Sequence, residues 1–287
     1  MTPGEKMRSY LAQPGFVVMP AIWDGLTAKL TAKSGFKTAF LSGSCVAASC
    51  LGGPDLDLIG FGEMYDALNK ARNAAPDLLI LADGDHGYGN AMNVQRTVAA
   101  YGRAGAAAVL IEDKLTPRAL TAAGKPCLPF EEARMKIRAA VAAAKETGIL
   151  VMARTDCRPT LGIDEAVARI EMYVAEGAAI TFLDSPADEN EIRRAVAASG
   201  KAPAFSVLTP GQPRAAPSQK DAAALGLKIG TYPTGMLSPA IAGMQAGLDA
   251  IGSGAAEAPG ALPGKKLREV LGYDAYDAHA KQFVAGT

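Results

Sequence analysis

The stretch LLILADGDHGYGNAMNVQRTVAAYGRAGAAAVLIED, residues 78–113, contains the unit from which the fold can be predicted. It begins with an apolar run (78–83), passes through a glycine-rich turn into a segment with apolar residues every three or four positions, and ends in a second apolar run (107–113). Short apolar runs indicate buried strands, and a spacing of three and four indicates an amphipathic helix. The stretch therefore predicts two parallel strands joined by a helix.

The same unit recurs along the whole chain. Short apolar runs alternate with alanine-rich segments of helical period, several of which end in Gly. Right-handed crossovers place every helix outside the strands, so eight such units predict a closed (β/α)8 TIM barrel of the α/β class. A doubly wound open sheet is the alternative. The eight runs are FVVMP (16–20), TAFLSG (38–43), LLILAD (78–83), AAVLIED (107–113), ILVMARTD (149–156), AITFLD (179–184), PAFSVL (203–208) and LKIGTY (227–232).

The length of 287 residues suits one large barrel followed by a short extension. We expect a catalytic barrel over residues 1–255 and a C-terminal helical extension over residues 256–287. The extension begins in a Pro/Gly/Ala linker and ends with the spacing of an amphipathic helix. It could pack on its own barrel or on a neighbouring subunit.

Charge and composition favour a small-molecule partner. Lys plus Arg and Asp plus Glu number 29 each, so the formal net charge is zero and no net field favours nucleic acid or a membrane surface. No secretory signal and no apolar run of about 18 residues is present, which predicts a cytoplasmic protein without membrane association. The four cysteines lack the spacing of a zinc site or a disulfide framework.

Polar residues follow most of the predicted strands. In a (β/α)8 barrel the active site lies at the carboxyl ends of the strands, so we expect these residues to meet on one rim. They are Ser42, Gly43 and Ser44 after strand two, Asp83 and Asp85 after strand three, Glu112 and Asp113 at strand four, Arg154 and Asp156 at strand five, and Asp184 and Ser185 at strand six.

Asp83, Asp85 and Glu112 form a cluster of oxygen ligands without cysteine or convergent histidine. Such hard ligands suit Mg²⁺ or Mn²⁺ held partly through water, with open positions left for the oxygens of a substrate. The alternative is that Asp83 and Asp85 cap the next helix or accept hydrogen bonds from the turn.

Two further features suit a carboxylate substrate. Arg154 offers a planar fork of donors, although an internal salt bridge to a neighbouring acid would explain it equally well. The sequence Ser42-Gly43-Ser44 marks a small-residue loop whose N–H and hydroxyl donors could hold a carboxylate or an enolate oxygen, and ordinary turn chemistry is the alternative. His86 and Tyr88 could act directly, as ligand or base, or orient other groups by hydrogen bonds.

Several separate motifs resemble one known superfamily. The segments LSGSCVAASCLGGPDLDLIGFGEM (41–64), LADGDHGYGNAMNVQRTVAAYGRAGAAAVLIED (81–113) and VMARTD (151–156), in this order, are similar to the isocitrate lyase/phosphoenolpyruvate mutase superfamily. PAIWDGLTAKLTAKSGFKTAFLSG (20–43) resembles its first strand–helix–strand unit. The likeness extends from about residue 16 to residue 245.

The resemblance implies a barrel whose last helix is exchanged between subunits of a homo-oligomer, either a dimer or a dimer of dimers. It also implies Mg²⁺ and a 2-oxo or 2-hydroxy dicarboxylate in the site. By resemblance, Asp83 and Asp85 match the metal motif, Glu112 an acid that reaches the metal through water, Ser42, Gly43 and Ser44 the carboxylate-binding loop, Asp55 the acid of a mobile loop, and Arg154 the carboxylate-binding arginine.

The segment after strand four, EDKLTPRALTAAGKPCLPFEEA (112–133), decides much of the chemistry in this superfamily. Its carbon–carbon lyases carry a Lys-(Lys/Arg)-Cys-Gly-His run, whose cysteine can protonate the leaving enolate. Here Arg118 takes the basic position, but Leu120 stands where the cysteine would be, and Cys127 lies seven residues further on. The phosphonomutases place an asparagine at the position of Leu120.

These differences favour decarboxylation of oxaloacetate or a related 2-oxo diacid, because loss of CO2 leaves a pyruvate enolate that water can protonate. DGDHGYGNAMNVQRTV (83–98) is most similar to the superfamily's oxaloacetate decarboxylases. The alternative is a carbon–carbon lyase acting on a methylisocitrate- or dimethylmalate-type acid. Tyr232-Pro233 supports it, and Tyr232 is expected to face the distal end of the substrate. A phosphonopyruvate-type mutase or hydrolase and a catalytically silent dicarboxylate-binding barrel are further alternatives.

Overall fold

Eight parallel strands form a closed barrel. The computed structural model describes residues 1–116, 126–208 and 218–284. The strands follow one another in chain order around the barrel, and β8 pairs with β1, which confirms the predicted (β/α)8 TIM barrel and excludes a doubly wound open sheet. They are β1 (Val17–Ile22), β2 (Thr38–Leu41), β3 (Leu79–Asp83), β4 (Ala108–Glu112), β5 (Leu150–Thr155), β6 (Ile180–Leu183), β7 (Ala204–Val207) and β8 (Ile229–Tyr232).

The helices alternate with the strands, with additional short helices after β2 and β5. Helix α1 precedes β1 and begins with a capping box formed by Thr2 and Glu5. The helices in the described ranges are α1 (Pro3–Leu11), α2 (Gly25–Lys33), α3 (Gly43–Leu51), α4 (Phe61–Ala74), α5 (Ala91–Arg103), α6 (Phe130–Thr147), α7 (Arg158–Leu161), α8 (Ile163–Ala175), α9 (Glu189–Ser199), α10 (Gln219–Ala224), α11 (Leu237–Ser253), α12 (Gly264–Leu271) and α13 (Tyr273–Ala280).

The strands divide the apolar side chains between two layers. On β4, Ala108 and Leu110 belong to the cluster inside the barrel, whereas Val109 and Ile111 belong to the cluster between the strands and the helices. Successive side chains of a strand point to opposite faces, so Glu112 continues the inward series. The alternating direction of side chains along a buried strand therefore decides which polar residues at its carboxyl end face the barrel axis.

The chain divides into two compact units, Met1–Met236 and Leu237–Thr287. The first contains all eight strands, and the second contains α11, α12 and α13. The boundary that we expected near residue 255 lies inside the second unit, because this division groups α11 with the C-terminal helices. In the described ranges, no helix combines the length and the apolar character that a membrane span needs.

Candidate active site

The carboxyl ends of four neighbouring strands carry inward-facing polar side chains. Asp83 ends β3, Glu112 ends β4, Arg154 lies near the end of β5, and Asp184 follows β6. Glu112 and Arg154 are direct partners in the register of β4 and β5. The fold thus brings together residues that are up to about a hundred positions apart in the chain, as expected for the catalytic end of a barrel.

Asp83 and Asp85 converge on one point beside Gly43. The Gly43 amide donates to Oδ2 of Asp83 at 3.2 Å, and the Asp85 amide donates to Oδ1 of Asp83 at 3.2 Å. A Cβ atom added at Gly43 would lie 3.1 Å from Oδ2 of Asp83 and 3.4 Å from Oδ1 of Asp85. Asp83 thus accepts amide hydrogen bonds, but neither aspartate caps the next helix, since Asn90 caps α5.

Both aspartates have a raised pKa. Burial, followed by the nearby Glu112 carboxylate, raises the pKa of Asp83 to about 6. Burial, then Asp83 and Glu112, raise the pKa of Asp85 well above its usual value of 3.8. Like charges that share a buried site disfavour ionisation of each carboxyl group, and a bound cation reverses that effect. The pair is therefore electrostatically suited to a divalent cation.

Lys114 links Glu112 to a residue that the sequence did not single out, Asp57. Its Nζ lies 2.9 Å from Oε1 of Glu112 and 2.9 Å from Oδ1 of Asp57. Burial lowers the pKa of Lys114, but the two carboxylates outweigh burial and raise it well above 10.5. Lys114 follows Glu112 by two residues, so strand alternation could have suggested it. Asp57 comes from a loop with no periodic signal.

Arg154 is held by carboxylates along one edge of its guanidinium group. Nε donates to Oδ2 of Asp156 at 2.8 Å, and Nη2 donates to Oδ1 at 2.7 Å. Nε also lies 3.4 Å from Oε2 of Glu112, and Nη2 lies 3.5 Å from Oδ1 of Asp184. The internal salt bridge left open by the sequence is therefore present. No described residue accepts a hydrogen bond from Nη1, so the edge formed by Nη1 and Nη2 is available to a ligand.

Ser42, Gly43 and Ser44 begin a helix and do not form the loop that we expected. Ser42 is the N-cap of α3, its Oγ accepts from the Cys45 amide at 3.5 Å, and it lies 2.9 Å from Oγ of Ser44. Small residues with a serine cap favour a helix start, which explains the difference. A helix N-terminus directs amide N–H groups and positive potential towards the site, so the expected donor character is retained.

His86 is neutral at pH 7 in this environment. Burial and then the Lys136 cation lower the pKa of His86 to about 4, and Lys114 acts in the same direction. Nζ of Lys136 donates to the backbone oxygen of His86 at 3.1 Å. Nδ1 of His86 is buried and has no hydrogen-bond partner among the described residues. These contacts place His86 beside the aspartate turn as a neutral group, unsuited to act as an acid at pH 7.

Asp55 and Tyr88 lie near the aspartate pair in different ways. Asp55 is exposed in the segment between α3 and α4, and its charge contributes to the raised pKa values of Asp83 and Asp85. The Tyr88 hydroxyl is 3.3 Å from the Tyr101 hydroxyl, within an aromatic group next to His86. Tyr88 therefore contacts aromatic side chains behind the turn.

The Tyr232 side chain, which we expected to face the substrate, packs on the outer side of the barrel. On β8, Ile229 belongs to the cluster inside the barrel, whereas Tyr232 packs on the outer cluster with Phe16 and Val196. Its hydroxyl accepts from Nε2 of Gln219 at 3.1 Å. Three positions separate Ile229 from Tyr232, and strand alternation turns the two side chains to opposite faces. Arg118 and Leu120 lie outside the described residues.

The residues at this end of the barrel fit Mg²⁺ with a shell completed by water. In the described part of the chain, no group of three or more His, Cys, Asp or Glu side chains is arranged to hold a metal ion, so the candidate ligands are a pair. Asp83 and Asp85 would be the direct ligands. Oε1 of Glu112 is buried and lacks a hydrogen bond of good geometry to any described group, even though Lys114 is close. Such an oxygen is suited to accept a hydrogen bond from a water molecule bound to the ion, because Mg²⁺ usually keeps several waters.

The site has the features of one protein family. The family model described as phosphoenolpyruvate phosphomutase matches residues 7–252. The chain belongs to this family. Membership of the isocitrate lyase/phosphoenolpyruvate mutase superfamily, expected from the motifs, is thereby confirmed.

Curated relatives cover most of the chain. An oxaloacetate decarboxylase from Paraburkholderia xenovorans (strain LB400) is 33% identical over 99% of this chain and 95% of the relative. A 2,3-dimethylmalate lyase from Eubacterium barkeri is 37% identical over 82% of this chain and 81% of the relative. The relatives thus include both of the reaction types that the sequence left open.

Solved structures agree in fold over the whole chain. Oxaloacetate acetylhydrolase in complex with the inhibitor 3,3-difluorooxalacetate is 29% identical with a TM-score of 0.90, covering 100% of this chain and 99% of that one. Phosphonopyruvate hydrolase in complex with oxalate and Mg²⁺ is 28% identical with a TM-score of 0.84, covering 97% and 98%. Small dicarboxylates are therefore bound by proteins of this architecture.

Proposed function

We propose that this protein is a Mg²⁺-dependent lyase that decarboxylates oxaloacetate or a related 2-oxo diacid, with Mn²⁺ as a possible substitute ion. Three features suit a chelating carboxylate ligand. They are the acidic pair Asp83 and Asp85, the donors at the start of α3, and the Nη1/Nη2 edge of Arg154. The similarity to an oxaloacetate decarboxylase over almost the entire chain supports the substrate class.

The buried environment of Cys127 favours decarboxylation over other carbon–carbon cleavage. It packs against Cys157 and the buried cluster of Ala166 and Ile170, and it pairs with Lys114 in an isolated bridge. Burial, followed by the charge of Asp113, raises the pKa of Cys127 strongly. A thiol in this environment is a poor proton donor. Because the position expected for the lyase cysteine is Leu120, decarboxylation is favoured, since the enolate can take its proton from water.

The roles of the residues follow from their contacts. Arg154 binds a substrate carboxylate through Nη1 and Nη2, because Asp156 occupies the edge formed by Nε and Nη2. Donors of Ser42 and Ser44 stabilise the oxygen that becomes negative during the reaction, whereas the Gly43 amide donates to Asp83. Mg²⁺ bound by Asp83 and Asp85 would supply Lewis acid chemistry at the 2-oxo group.

Bond breaking needs no protein nucleophile. The electrons of the bond between C3 and C4 of oxaloacetate move towards C2 as CO2 leaves, which gives pyruvate enolate. Water then protonates C3 to give pyruvate. Lys114 and Arg154 both contact Glu112 beside the reacting group, and the neutral His86 ring lies next to the aspartate turn.

The direct test is to incubate the purified protein with oxaloacetate and Mg²⁺ and to follow pyruvate with a coupled lactate dehydrogenase assay. We expect pyruvate release well above the rate with Mg²⁺ alone, and loss of that release in EDTA. A rate equal to that of the metal alone would contradict the proposal.

The second candidate is carbon–carbon cleavage of a 2-hydroxy diacid of the methylisocitrate or dimethylmalate type. The 2,3-dimethylmalate lyase at 37% identity favours it. Tyr232 no longer supports it, because its side chain lies on the outer face of the barrel. A panel of such acids, assayed for a 2-oxo acid or glyoxylate, separates the two candidates. Phosphonopyruvate assayed for phosphate release tests the least favoured alternative.

We also propose that the chain forms a homo-oligomer, either a dimer or a dimer of dimers with an exchanged helix. Helix α11 exposes Ile241, Met244, Leu248 and Ile251, with exposed fractions from 52% to 77%, at helical spacing along one face. Exposed apolar patches of this kind often mark interfaces between subunits. Light scattering of the purified chain measures its mass, and a monomer at micromolar concentration would contradict this proposal.

A further inference from the structure

Asp113 lies directly behind the candidate site and accepts hydrogen bonds from four groups. Its Oδ1 accepts from the Asp156 amide at 2.9 Å. Its Oδ2 accepts from Oγ1 of Thr155 at 2.7 Å, Nη1 of Arg169 at 2.9 Å and the Tyr173 hydroxyl at 2.8 Å. Asp113 is 2% exposed, so the carboxylate is satisfied entirely by protein groups. We call this group the Asp113 cluster.

Arg169 provides the charge that balances Asp113. It is 1% exposed on α8, and it also donates from Nε to Glu165 and from Nη2 to the backbone oxygen of Leu128 at 2.9 Å. The Leu128 amide in turn donates to the backbone oxygen of Asp113. A buried ion pair is costly unless its hydrogen bonds are satisfied, and here each partner has several. The pair therefore has one defined geometry.

The cluster acts on the strand end that carries Arg154. Thr155 and Asp156 directly follow Arg154, and Asp113 binds the side chain of Thr155 and the amide of Asp156. The Asp156 carboxylate then binds Nε and Nη2 of Arg154. The contacts form a continuous path from Asp113 through Asp156 to the guanidinium group.

We propose that Asp113, fixed by Thr155, Arg169 and Tyr173, is a positioning residue that sets the orientation of Arg154 for the carboxylate of the substrate. This inference rests on the proposed function in one respect, namely that Arg154 binds a carboxylate. Asp113 itself does not touch the substrate. The carboxylate is needed, since the NH2 group of an asparagine would face either the donating Asp156 amide or the donors of Thr155, Arg169 and Tyr173.

The test removes single donors from the cluster without changing side-chain size. Thr155→Val and Tyr173→Phe each delete one hydroxyl that binds Asp113. Thr155→Ser restores the hydroxyl. Thr181→Val is the matched control, because Thr181 is 1% exposed on the neighbouring strand and its Oγ1 lies 2.6 Å from Oγ of Ser199, outside the cluster.

Two measurements are made on the full-length variants. Hydrogen–deuterium exchange reports on the Asp156 amide, and calorimetry gives the Kd of oxalate with saturating Mg²⁺. We expect Thr155→Val and Tyr173→Phe to accelerate exchange of that amide and to weaken oxalate binding by about tenfold, a loss typical of one buried hydrogen bond. Thr155→Ser and Thr181→Val are expected to stay within about twofold of the wild type in both measurements, even though Thr181→Val lowers the melting temperature.

Unchanged exchange at Asp156 in both cluster variants would overturn the inference. Faster exchange without weaker oxalate binding would overturn the role in positioning Arg154. If wild-type protein binds no oxalate, the proposed function fails, and the exchange measurement still decides whether Asp113 orders the strand end.

Discussion

Glu112 and Arg154 are register partners on β4 and β5, and Oε2 of Glu112 lies 3.4 Å from Nε of Arg154. Glu112, proposed to reach the ion through water, and Arg154, proposed to bind the substrate, are therefore in direct electrostatic contact. Lys114 lies on the other side of Glu112, at 2.9 Å from Oε1. Removing any one of these charges should consequently change the binding of both the ion and the substrate carboxylate.

Arg154→Lys should raise KM for oxaloacetate by about tenfold or more, because an ammonium group cannot bind Asp156 and a substrate carboxylate with two planar edges. The effect on kcat should be smaller, since the ion ligands are unchanged. Steady-state kinetics at saturating Mg²⁺ measure KM and kcat separately. Arg138→Lys, in an exposed ion pair with Glu176, is the matched control. An unchanged KM would rule out the proposed role of Arg154.

Gly43→Ala should weaken Mg²⁺ binding while the fold is retained. The added Cβ would approach Oδ2 of Asp83 to 3.1 Å and Oδ1 of Asp85 to 3.4 Å, so the Asp83 carboxylate must shift away from α3. Alanine is a better helix former than glycine, so α3 itself should not be destabilised. Gly62→Ala in α4, where an added Cβ meets nothing within 4 Å, is the control. Mg²⁺ titration by calorimetry gives the result, and equal affinities in the two variants would contradict it.

Lys114→Met should destabilise the protein by about 3 kcal/mol in the absence of Mg²⁺, because it leaves Glu112 and Asp57 buried without their shared cation. Lys70→Met removes an exposed pair with Asp66 and should lower the stability much less. Urea unfolding compares the two variants. Mg²⁺ should recover part of the loss in Lys114→Met, and equal losses in both variants would argue against a buried charge network.

His86 should make the protein less stable as the pH falls from 6.5 towards 4. Its pKa is about 4 in the folded chain and 6.5 as an ordinary side chain, so in this interval the unfolded chain binds a proton that the folded chain does not. Above pH 6.5 both states are neutral and the effect vanishes. Urea unfolding between pH 7 and pH 4.5 should therefore show a shallower loss for His86→Asn than for the wild type.

His279→Asn, at an exposed position in α13, is the matched control and should follow the wild-type dependence on pH. If His86→Asn lost stability with falling pH as steeply as the wild type, His86 would not be held neutral by its surroundings.

The alternation of apolar runs and helical segments was enough to predict the barrel, because each βαβ unit is locally encoded. The residues at the strand ends could also be predicted as one rim, since closure of the barrel brings Asp83, Glu112 and Arg154 together. The start of α3 was expected to be a loop, because Ser42-Gly43-Ser44 has the composition of a turn as well as of a helix cap.

Other features depend on tertiary contacts that no local pattern contains. Asp57 meets Lys114 only after the loop that follows α3 folds over the barrel end. Tyr232 was assigned to the substrate from its position in a motif, whereas the pleat of β8 directs its side chain outward. Asp113 looked like one more polar residue of the rim, and its four donors come from segments that lie 42 to 60 residues away.

The most direct test of the account is the rate of pyruvate release from oxaloacetate by wild-type protein and by Asp85→Ala at saturating Mg²⁺. Asp66→Ala, at an exposed aspartate, serves as the control. The account predicts Mg²⁺-dependent turnover by wild type and Asp66→Ala, and at least about a hundredfold less by Asp85→Ala, with the melting temperature of that variant maintained. Turnover by Asp85→Ala at the wild-type rate would contradict the assignment of the ion site on which the proposed function depends.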